Sequence, residues 1–366
     1  MRFRSTAIRV AALVATLILL PFLAACGKSV GYATSAETRI FIDSAGRKVE
    51  LPKEITKVAP SGTVATMILS TICPEYLVCV SGVPSSGQYP YLPPRLIDLP
   101  TTGQLYGSRS TINHESLIKA APQVIIDLGD RKETIASDMN ALQKATGVAA
   151  IFLEADLPHL AEAYRTLGAL LGLEERAEEC ASFIDKTLAL AGENAARIAK
   201  EDRKTIMYAT GTSGLNANAQ GSVQAQVIDI VGGNNAVIVD DVTNQGGGTM
   251  LSLEQIYRFD PDVILFTNGS MYGMVSETAS WAGLSAIKSG AYYETPYLPY
   301  NWMSSPPSVN MVIGVWWLGN LLYPEVYDYD MASVAREFYR IFWGYDLTAE
   351  EAESMLARST LKGVGK

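Results

Sequence analysis

The sequence predicts an α/β protein in which two similar halves flank one long helix, and three observations support this prediction. Short apolar segments alternate with helical stretches on both sides of the middle of the chain, which is typical of parallel sheets covered on both faces. Residues 157–203 contain no proline after Pro158 and are dense in Ala, Leu, Glu, Lys and Arg, so they are predicted to be helical. A weak repeat relates residues 112–126 to residues 251–265.

The first residues predict a lipoprotein signal peptide. Three arginines precede the apolar run Val10 to Phe22, and Leu23-Ala24-Ala25-Cys26 places small residues just before a cysteine. The run is shorter than the roughly 18 to 20 residues that a bilayer span needs, which disfavours a retained transmembrane helix. We therefore expect a signal peptide over 1–25, a lipid on Cys26 and a tether over 26–38. The protein would be exported and anchored to a membrane, at the outer face of the cytoplasmic membrane or in the periplasm.

Charge balance and composition narrow the class of partner. The chain carries 29 basic and 38 acidic residues, and three arginines lie in the predicted leader, so the mature protein has 26 basic residues and a net charge of −12. This sign argues against nucleic acid or an anionic bilayer surface as partner. With 48% hydrophobic residues, 18% charged residues and a mature length of about 340 residues, we expect a globular body of two domains.

The cysteines leave one question open. Cys73 and Cys79 flank a turn-like segment, and an export compartment permits a disulfide, but the spacing alone does not establish a bridge. Cys180 lies in a helical pattern, where we expect a buried thiol that acts as a small hydrophobe. No C-x-x-C pair exists, so redox chemistry and a zinc ribbon have no support.

The elements follow one another in a regular order from residue 39. Residues 40–52 alternate around Ser44-Ala45-Gly46-Arg47 and predict a β-hairpin. Short strands are then predicted at 58–59, 76–80, 124–128 and 149–153, and again at 205–209, 237–239 and 263–266. Between these groups, Glu174 to about Lys200 predicts a helix of about 27 residues, or about 40 Å. This helix suits a rigid strut between domains, although a coiled coil or a surface helix has the same pattern.

The repeat indicates two lobes of one design. In each copy a glutamate, Glu115 or Glu254, lies on a short helix seven residues before a proline, and an apolar strand begins two residues after that proline. A convergent helix-proline-strand joint is the alternative, because proline commonly ends helices. We therefore expect an N-terminal lobe over 39–173, an interlobe helix over 174–200 and a C-terminal lobe over 201–366.

Four features, taken together and in order, suggest a known family. They are the opening Ile42-Asp43-Ser44-Ala45-Gly46-Arg47-Lys48-Val49-Glu50-Leu51-Pro52, the Glu115 and Glu254 blocks ending in Ala-Pro-Gln and Asp-Pro-Asp, Asn301-Trp302-Met303-Ser304-Ser305-Pro306-Pro307-Ser308, and Leu322-Tyr323-Pro324-Glu325. From about residue 39 to 350 the chain resembles the periplasmic-binding-protein family for iron-siderophores, haem and cobalamin. The family also includes carriers of molybdate or tungstate, so the resemblance does not identify the cargo.

The resemblance carries expectations about fold, partners and docking. It implies a substrate-binding lipoprotein of an ABC importer, with two Rossmann-like lobes joined by one long α-helix and a ligand cleft between the lobes. It also implies that Glu115 and Glu254 dock onto arginines of a two-subunit permease that works with its ATPase subunits. The alternative for each glutamate is an ordinary solvated position on its helix.

Groups suited to catalysis are scarce in this chain. The histidines are His114 and His159 alone, and both are more typical of solvated or structural positions. The motifs G-x-S-x-G, H-E-x-x-H and G-x-x-x-x-G-K-[ST] are absent, and no G-x-G-x-x-G follows a strand. We predict no enzyme, no catalytic residue, no metal site and no cofactor apart from the cargo, although the many carboxylates leave a carboxylate enzyme open. Capture of bare Zn²⁺ or Mn²⁺ is also disfavoured, because such sites use several imidazoles or clustered carboxylates.

Loops at the carboxyl ends of the strands are the candidate binding elements, because ligands of open α/β lobes sit there. Glycines in these loops let backbone N–H groups approach a ligand, Ser, Thr and Asn form hydrogen bonds, and aromatic side chains offer flat amphipathic surfaces. Arg109 and Arg131 would neutralise an anionic chelate. The candidate ligand residues are Ser61, Thr63, Tyr89, Tyr91, Tyr106, Arg131, Ser213, Asn216, Gln245, Asn268, Tyr272, Tyr300 and Trp302.

The sequence therefore predicts a lipid-anchored binding protein that delivers a small-molecule metal complex to an ABC permease. A ferric siderophore is the first choice of cargo, and cobalamin, haem or an oxyanion such as molybdate or tungstate are the alternatives within this class. A cell-surface enzyme built on a two-lobed α/β fold is the alternative from another class. Turnover of a substrate would favour the enzyme, whereas tight binding without turnover would favour the carrier.

Overall fold

Three sheets organise the residues that the structure describes. The computed structural model describes residues 37–107, 110–240, 242, 247–360 and 362, so the predicted leader, Cys26, Arg109 and Gln245 lie outside it. The strands are β1 Thr38–Ile42, β2 Lys48–Pro52, β3 Val58–Pro60, β4 Val124–Gly129, β5 Ala149–Glu154, β6 Thr205–Thr210, β7 Asn216–Ala217, β8 Asn234–Asn235, β9 Thr249–Met250, β10 Val263–Phe266 and β11 Tyr292–Glu294. The α-helices are α1 Thr63–Ile72, α2 Arg95–Asp98, α3 His114–Ala120, α4 Ile135–Thr146, α5 Leu160–Leu171, α6 Glu174–Ala196, α7 Gln226–Ile230, α8 Leu253–Phe259, α9 Ser285–Ser289, α10 Asn310–Leu322, α11 Met331–Trp343 and α12 Ala349–Thr360.

The predicted hairpin is present as β1 and β2, which pair antiparallel. A carboxylate oxygen of Asp43 accepts hydrogen bonds from the backbone N–H groups of Ala45 at 3.0 Å and Arg47 at 2.9 Å. Gly46 has a φ of 79°, a left-handed conformation that glycine adopts without steric cost. The turn is joined to β5, because the N–H of Ser44 donates to the carbonyl of Phe152 at 2.9 Å.

The N-terminal sheet has the order β3-β4-β5 and all its pairs are parallel. Every residue of β4 is buried, as expected for a strand covered on both faces. The strand predicted at 76–80 is wrong in extent, because only isolated bridges from Val58 to Leu77 and from Val80 to Thr101 form there. A 3₁₀ turn at Pro74–Tyr76 takes up the start of the predicted segment.

The long helix α6 is bonded to elements of both halves. The guanidinium of Arg176 donates to the carbonyl of Thr71 in α1 at 2.8 Å, and also to a carbonyl of α11. Thr187 accepts a hydrogen bond at 2.8 Å from the indole N–H of Trp316 in α10. The ring of Phe183 packs against aromatic rings of α10 and α11. The helix ends at Ala196, before the predicted end near Lys200.

The C-terminal sheet places β10 between β11 and β6, all parallel, with β8 and β7 on the other side of β6 and β9 beyond β7. The pairs of β7 with β6 and with β9 are antiparallel. The strand predicted at 237–239 is wrong, since the pairing occurs earlier, at β8. The N–H of Ala236 still donates to the carbonyl of Ile206 in β6 at 2.8 Å. From there the chain bonds to the segment 218–220, because the side chain of Asn235 donates to the carbonyl of Asn218 at 2.9 Å and the carbonyl of Val237 accepts from the N–H of Gln220 at 2.9 Å.

The main hydrophobic core is continuous across the two halves. One cluster of buried apolar residues draws on β3 to β5, α6, β6, α10 and α11, and two smaller clusters draw on the opposite face of each sheet. The protein is therefore mixed α/β with parallel sheets, as predicted. None of the helices in the described residues is long and apolar enough to cross a bilayer.

The cysteines within the described residues are buried free thiols. Cys73 and Cys79 form no disulfide in this structure, and Cys180 is buried in α6 as expected. Burial raises the pKa of Cys79 to about 11 and that of Cys180 to about 12. Because the thiolate is the reactive form, these thiols are inert in the folded protein.

Candidate functional site

A cavity of about 1280 Å³ is lined by residues from both halves of the chain. The N-terminal wall consists of the lining residues of 61–65, 104–107 and 127–134. The C-terminal wall consists of Thr210 at the end of β6, Asn218, Gln224, Val242, Gly247 and the segment 304–307. The segments 61–65 and 127–134 and Thr210 lie at the carboxyl ends of the parallel strands β3, β4 and β6, where ligands of open α/β folds bind. The cavity is therefore the candidate ligand site.

Asp127 and Ser61 form a buried pair in the N-terminal wall. Asp127 lies near the carboxyl end of β4, and Ser61 directly follows the neighbouring strand β3. The Ser61 hydroxyl donates a hydrogen bond to Oδ1 of Asp127, which is 4% exposed. Burial raises the pKa of Asp127 to about 6, against the Ser61 hydrogen bond and the positive charge of Lys132, which both lower it.

The two basic side chains that the structure describes in the N-terminal wall already have partners. The Nζ of Lys132 lies 3.2 Å from Oδ1 of Asp130 and 4.4 Å from the centroid of the Tyr106 ring. The Nε of Arg131 lies 3.4 Å from Oε2 of Glu154, and its guanidinium donates a further hydrogen bond to a backbone carbonyl of the β1–β2 turn. Neither cation forms an ion pair with Asp127 among the described residues, although the charge of Lys132 acts on it from a greater distance.

Tyr106 is held in place by a carboxylate. Its hydroxyl donates to Oδ2 of Asp138 at 2.8 Å, and the same oxygen accepts a hydrogen bond from Thr134 at 2.7 Å. Burial, and then this hydrogen bond, raise the pKa of Tyr106. The phenol is therefore neutral at any physiological pH and presents part of its ring to the cavity.

The N-terminus of α1 opens onto the cavity. Gly62 is the N-cap residue, and no side chain caps the helix. The hydroxyl of Thr63 donates to the side-chain carbonyl of Gln104 at 2.9 Å instead. The first backbone N–H groups of a helix have no intrahelical partner and carry a partial positive charge. This edge of the N-terminal wall is therefore suited to a hydrogen-bond acceptor on a ligand.

Neutral polar groups and prolines form the C-terminal wall. Ser304 is completely buried, and its hydroxyl has no hydrogen-bond partner in the described part of the chain. The hydroxyl of Thr210 donates to the carbonyl of Gly247 at 3.0 Å. The preceding segment is held by Asn301, whose side-chain oxygen accepts from the Tyr208 hydroxyl at 3.1 Å and from a backbone N–H two residues later at 2.9 Å. No ionisable side chain is found among the described residues of this wall.

The structure brings four of the predicted ligand residues together in the cavity. They are Ser61, Thr63, Tyr106 and Arg131. Three further polar candidates within the described residues lie outside it: Asn216 is on β7, and Ser213 and Asn268 are exposed in loops. The amide of Asn268 reaches Oε1 of Glu294 at 3.5 Å rather than the cavity. Gln245 belongs to the segment outside the described residues.

The remaining aromatic candidates pack elsewhere. Trp302 is 1% exposed and lies in the main core, and Tyr272 is 4% exposed and contacts Tyr292 with ring centroids 5.8 Å apart. Tyr300 packs against Trp343, with ring centroids 5.5 Å apart. Tyr89 and Tyr91 line a separate pocket of about 640 Å³. These side chains were expected on binding loops, but long-range packing buries them or directs them away from the cavity.

Sequence reasoning missed several lining residues. Asp127, Thr210, Asn218 and Ser304 all line the cavity, and none was a candidate. A signal for Asp127 exists in the sequence, because one acidic residue interrupts the apolar run Val124-Ile125-Ile126-Asp127-Leu128. Within a strand buried on both faces, a carboxyl near the carboxyl end is the residue to examine.

Glu115 and Glu254 occupy matching local positions. Each lies in the first turn of a seven-residue helix, α3 or α8, whose N-cap side chain, Asn113 or Ser252, accepts a backbone hydrogen bond. Each helix ends at a residue with positive φ that is followed by a proline and a parallel strand. Both glutamates are exposed.

Neither histidine lies in the cavity. His114 is exposed at the start of α3, and His159 forms a surface pair with Asp156 that raises its pKa. Among the described residues, no group of three or more His, Cys, Asp or Glu side chains is arranged to hold a metal ion.

Comparisons with known proteins agree on one family. A family model described as periplasmic binding protein matches residues 82–297, more than half of the 366-residue chain. The ABC transporter substrate-binding lipoprotein YvrC of Bacillus subtilis is 22% identical over 327 residues, which cover 86% of this chain and 96% of that protein.

Solved structures show the same architecture. An ABC transporter solute binding protein from Sulfurospirillum deleyianum has 27% identity and a TM-score of 0.79, over 87% of this chain and 98% of that one. The periplasmic binding protein MolA of Haemophilus influenzae, bound to molybdate, has 16% identity and a TM-score of 0.69, over 85% of this chain and 99% of that one. At this low identity the likeness to MolA concerns the fold alone.

Proposed function

The chain belongs to the periplasmic binding protein family, and from that premise we propose that it is the substrate-binding lipoprotein of an ABC importer whose cargo is a metal chelate. The family consists of binding proteins and not of enzymes. The observation that carries the proposal is the cavity of about 1280 Å³ with walls from both halves of the chain. In this proposal the halves act as two Rossmann-like lobes, α6 joins them, and the chelate binds between them.

The size of the cavity supports a large cargo. Ligand pockets commonly measure about 300 to 1,000 Å³, and this cavity of about 1280 Å³ exceeds that range. A ferric siderophore would occupy such a space, and so would haem or cobalamin. A tetrahedral oxyanion would fill only a small part of it.

One observation favours an oxyanion such as molybdate or tungstate as the second candidate. The uncapped N-terminus of α1 lies at the cavity, and helix N-termini attract anions. The MolA structure contains molybdate, but its 16% identity supports only a common fold. The two candidates are distinguished by direct binding measurements with each class of ligand.

The test of the proposal is a titration with a ferric trihydroxamate chelate and two matched tyrosine variants. Tyr106 lines the cavity, whereas Tyr89 lines the separate pocket. We expect Tyr106→Ala to weaken binding by about 1 to 3 kcal/mol, the usual cost of truncating a well-packed contact, and Tyr89→Ala to leave it unchanged. Native mass spectrometry of protein purified from its own host would identify a retained cargo. Turnover of a retained compound, instead of stoichiometric binding, would show that the protein is an enzyme and not a carrier.

The membrane anchor has its own test. We propose cleavage before Cys26 and acylation of its thiol and amine, so Cys26→Ser should move the protein from the membrane fraction to the soluble fraction. The relative YvrC is described as a lipoprotein, which supports this assignment. A variant that still sediments with membranes would contradict it.

Docking onto the permease is assigned to Glu115 and Glu254. A two-fold permease needs one contact from each lobe, and these exposed glutamates lie at matching places on α3 and α8. Charges at a rim govern encounter more than stability, so Glu115→Lys with Glu254→Lys should abolish uptake while the melting temperature and cargo affinity stay unchanged. The measurement is uptake of a radiolabelled ferric chelate by cells that lack the native protein and carry this double variant. Normal uptake would show that both residues are ordinary solvated surface positions and not docking contacts.

A further inference from the structure

The charge inside the cavity is not balanced. Of the residues that the structure describes, five ionisable ones besides Tyr106 line it, namely Asp127, Asp130, Arg131, Lys132 and Glu133, and all belong to the N-terminal wall. The Lys132 ammonium is paired with Asp130 at 3.2 Å, and the Arg131 guanidinium with Glu154 at 3.4 Å. No ion pair is found for Asp127 or Glu133 within the described residues. The uncompensated charge of the described lining residues is therefore negative.

Asp127 is the buried member of this unpaired set. Its Oδ1 accepts one hydrogen bond, from Ser61, and its Oδ2 has no hydrogen-bond partner among the described residues. An ionised carboxylate has about four acceptor sites, so most of the capacity of Asp127 is unused. Burial of such a group is costly unless a donor or a cation compensates it. The unused oxygen belongs to a cavity-lining residue, so a bound molecule is able to supply that donor.

We propose that Asp127 determines the specificity of the cavity, by selecting a chelate that presents a cationic or hydrogen-bond-donating group and by disfavouring anions. This inference rests on the proposed function and narrows its substrate class. Asp127 would act together with the uncapped N-terminus of α1, which suits acceptor atoms on the same chelate. The preferred cargo thus carries an amine or another strong donor on its periphery.

The surroundings of Asp127 predict how this selection depends on pH. Lys132, Asp130 and Asp138 are the charged groups that act on it, Tyr106 is neutral, and the described residues of the C-terminal wall contribute no ionisable group. Burial raises the pKa of Asp127 to about 6, so Asp127 itself loses its negative charge below that pH. Preference for a cationic chelate should therefore be strong at neutral pH and weak in acid.

A pair of probes that differ in one charge tests the inference. The probes are a ferric trihydroxamate with a free primary amine and the same chelate with that amine acetylated, together with a negatively charged ferric tricatecholate and molybdate. Isothermal titration at about pH 7.5 and about pH 5 gives each affinity. We expect the wild type to bind the amine form at least about tenfold more tightly than the acetylated form at the higher pH, and to lose most of this preference at the lower pH.

Matched variants assign the preference to one carboxyl. Asp127→Asn keeps the size of the side chain and its ability to accept from Ser61, and it should reduce the preference by about tenfold. Glu133→Gln removes an exposed carboxyl from the same wall and should change the preference by less than about threefold. If Asp127→Asn does not fold, the pH dependence of the wild type remains as the second measurement.

The failures of the two proposals are distinguishable. Equal affinities of the wild type for both trihydroxamates, or an unchanged preference in Asp127→Asn, would overturn the role of Asp127 while the chelate carrier stands. Tighter binding of the tricatecholate or of molybdate than of the amine form would also overturn it. If the protein binds none of the ferric chelates, the proposed function as a siderophore carrier is wrong, and this inference fails with it.

Discussion

The two walls of the cavity differ in chemistry. The N-terminal wall is ionic, with a buried carboxyl at Asp127 and two cations already paired to carboxylates. The described residues of the C-terminal wall are neutral, and their position depends on a buried network around Asn301. In the proposed function, charge on one wall would select a ligand by electrostatics, whereas neutral groups on the other would select it by shape and hydrogen bonding.

The difference extends to how each wall is supported. Asp127 lies in β4, which pairs with β3 and β5, and its own partner in the sheet register is Phe152 of β5. The segment 304–307 has no such ladder, and the buried Trp302 and the close approach of α10 hold it in place. Changes in the N-terminal wall should therefore alter electrostatics, while changes near the C-terminal wall should alter stability.

The substitution Trp302→Ala should have the largest effect on the free energy of unfolding. Trp302 is 1% exposed, so truncation leaves a cavity in the core and should lower the free energy of unfolding by about 3 to 5 kcal/mol. Denaturant unfolding measures this loss. Because Trp302 was also a candidate ligand residue, chelate affinity is measured in the absence of denaturant. A stable variant with weak chelate binding would show that Trp302 contacts the cargo instead.

Asp127→Asn should have the next largest effect on the free energy of unfolding, and it should raise this free energy instead of lowering it. The raised pKa means that the folded state holds the Asp127 proton more tightly, so wild-type stability falls as pH rises from about 4 to about 6. A shift from 3.8 to about 6 corresponds to roughly 3 kcal/mol. The variant should be more stable than wild type by up to this amount at neutral pH. The difference in the free energy of unfolding between the two proteins should vanish near pH 4. A gap that does not change with pH would contradict the buried-carboxylate account of this wall.

Gly314→Ala tests the close approach that supports the C-terminal wall. A Cβ at Gly314 in α10 would lie 2.0 Å from the carbonyl oxygen of Trp302, so the loop or the helix must move. We expect a loss of about 1 to 3 kcal/mol in the free energy of unfolding. Gly192→Ala is the matched control, because it lies in α6 with open space at its Cβ and should stabilise by about 0.5 to 1 kcal/mol. Equal effects of the two substitutions would show that the contact with Trp302 is not a constraint.

The smallest effect should be the motion of one wall relative to the other on binding. Arg176 and Thr187 connect α6 to α1, α10 and α11, and the main core is continuous between the halves. A continuous helix lacks the paired flexible strands of a hinge. X-ray scattering with and without a ferric trihydroxamate should therefore give nearly the same radius of gyration. A large decrease on binding would show that the walls close around the cargo.

Much of the fold could be predicted because it depends on local patterns. The hairpin around Gly46, the start of α6 at Glu174 and the matching surroundings of Glu115 and Glu254 follow from turn residues, composition and proline spacing. The strand predicted at 237–239 was wrong because Asn235 and Val237 bond to residues 17 positions earlier in the chain, in the segment 218–220. Local pattern does not contain that contact.

The sequence by itself determined the class of fold, the family resemblance and the polar character of the binding loops. Only the tertiary structure decided which of those residues reach the cavity. Trp302 and Tyr106 both lie on loops, yet α10 approaches the backbone of the first closely, and Asp138 holds the second beside the cavity. Asp127 was hidden in an apolar strand until the packing of β3 placed Ser61 beside it. Burial and pKa depend on neighbours that are distant in sequence, and for that reason the buried carboxyl of Asp127 could be identified only in the folded chain.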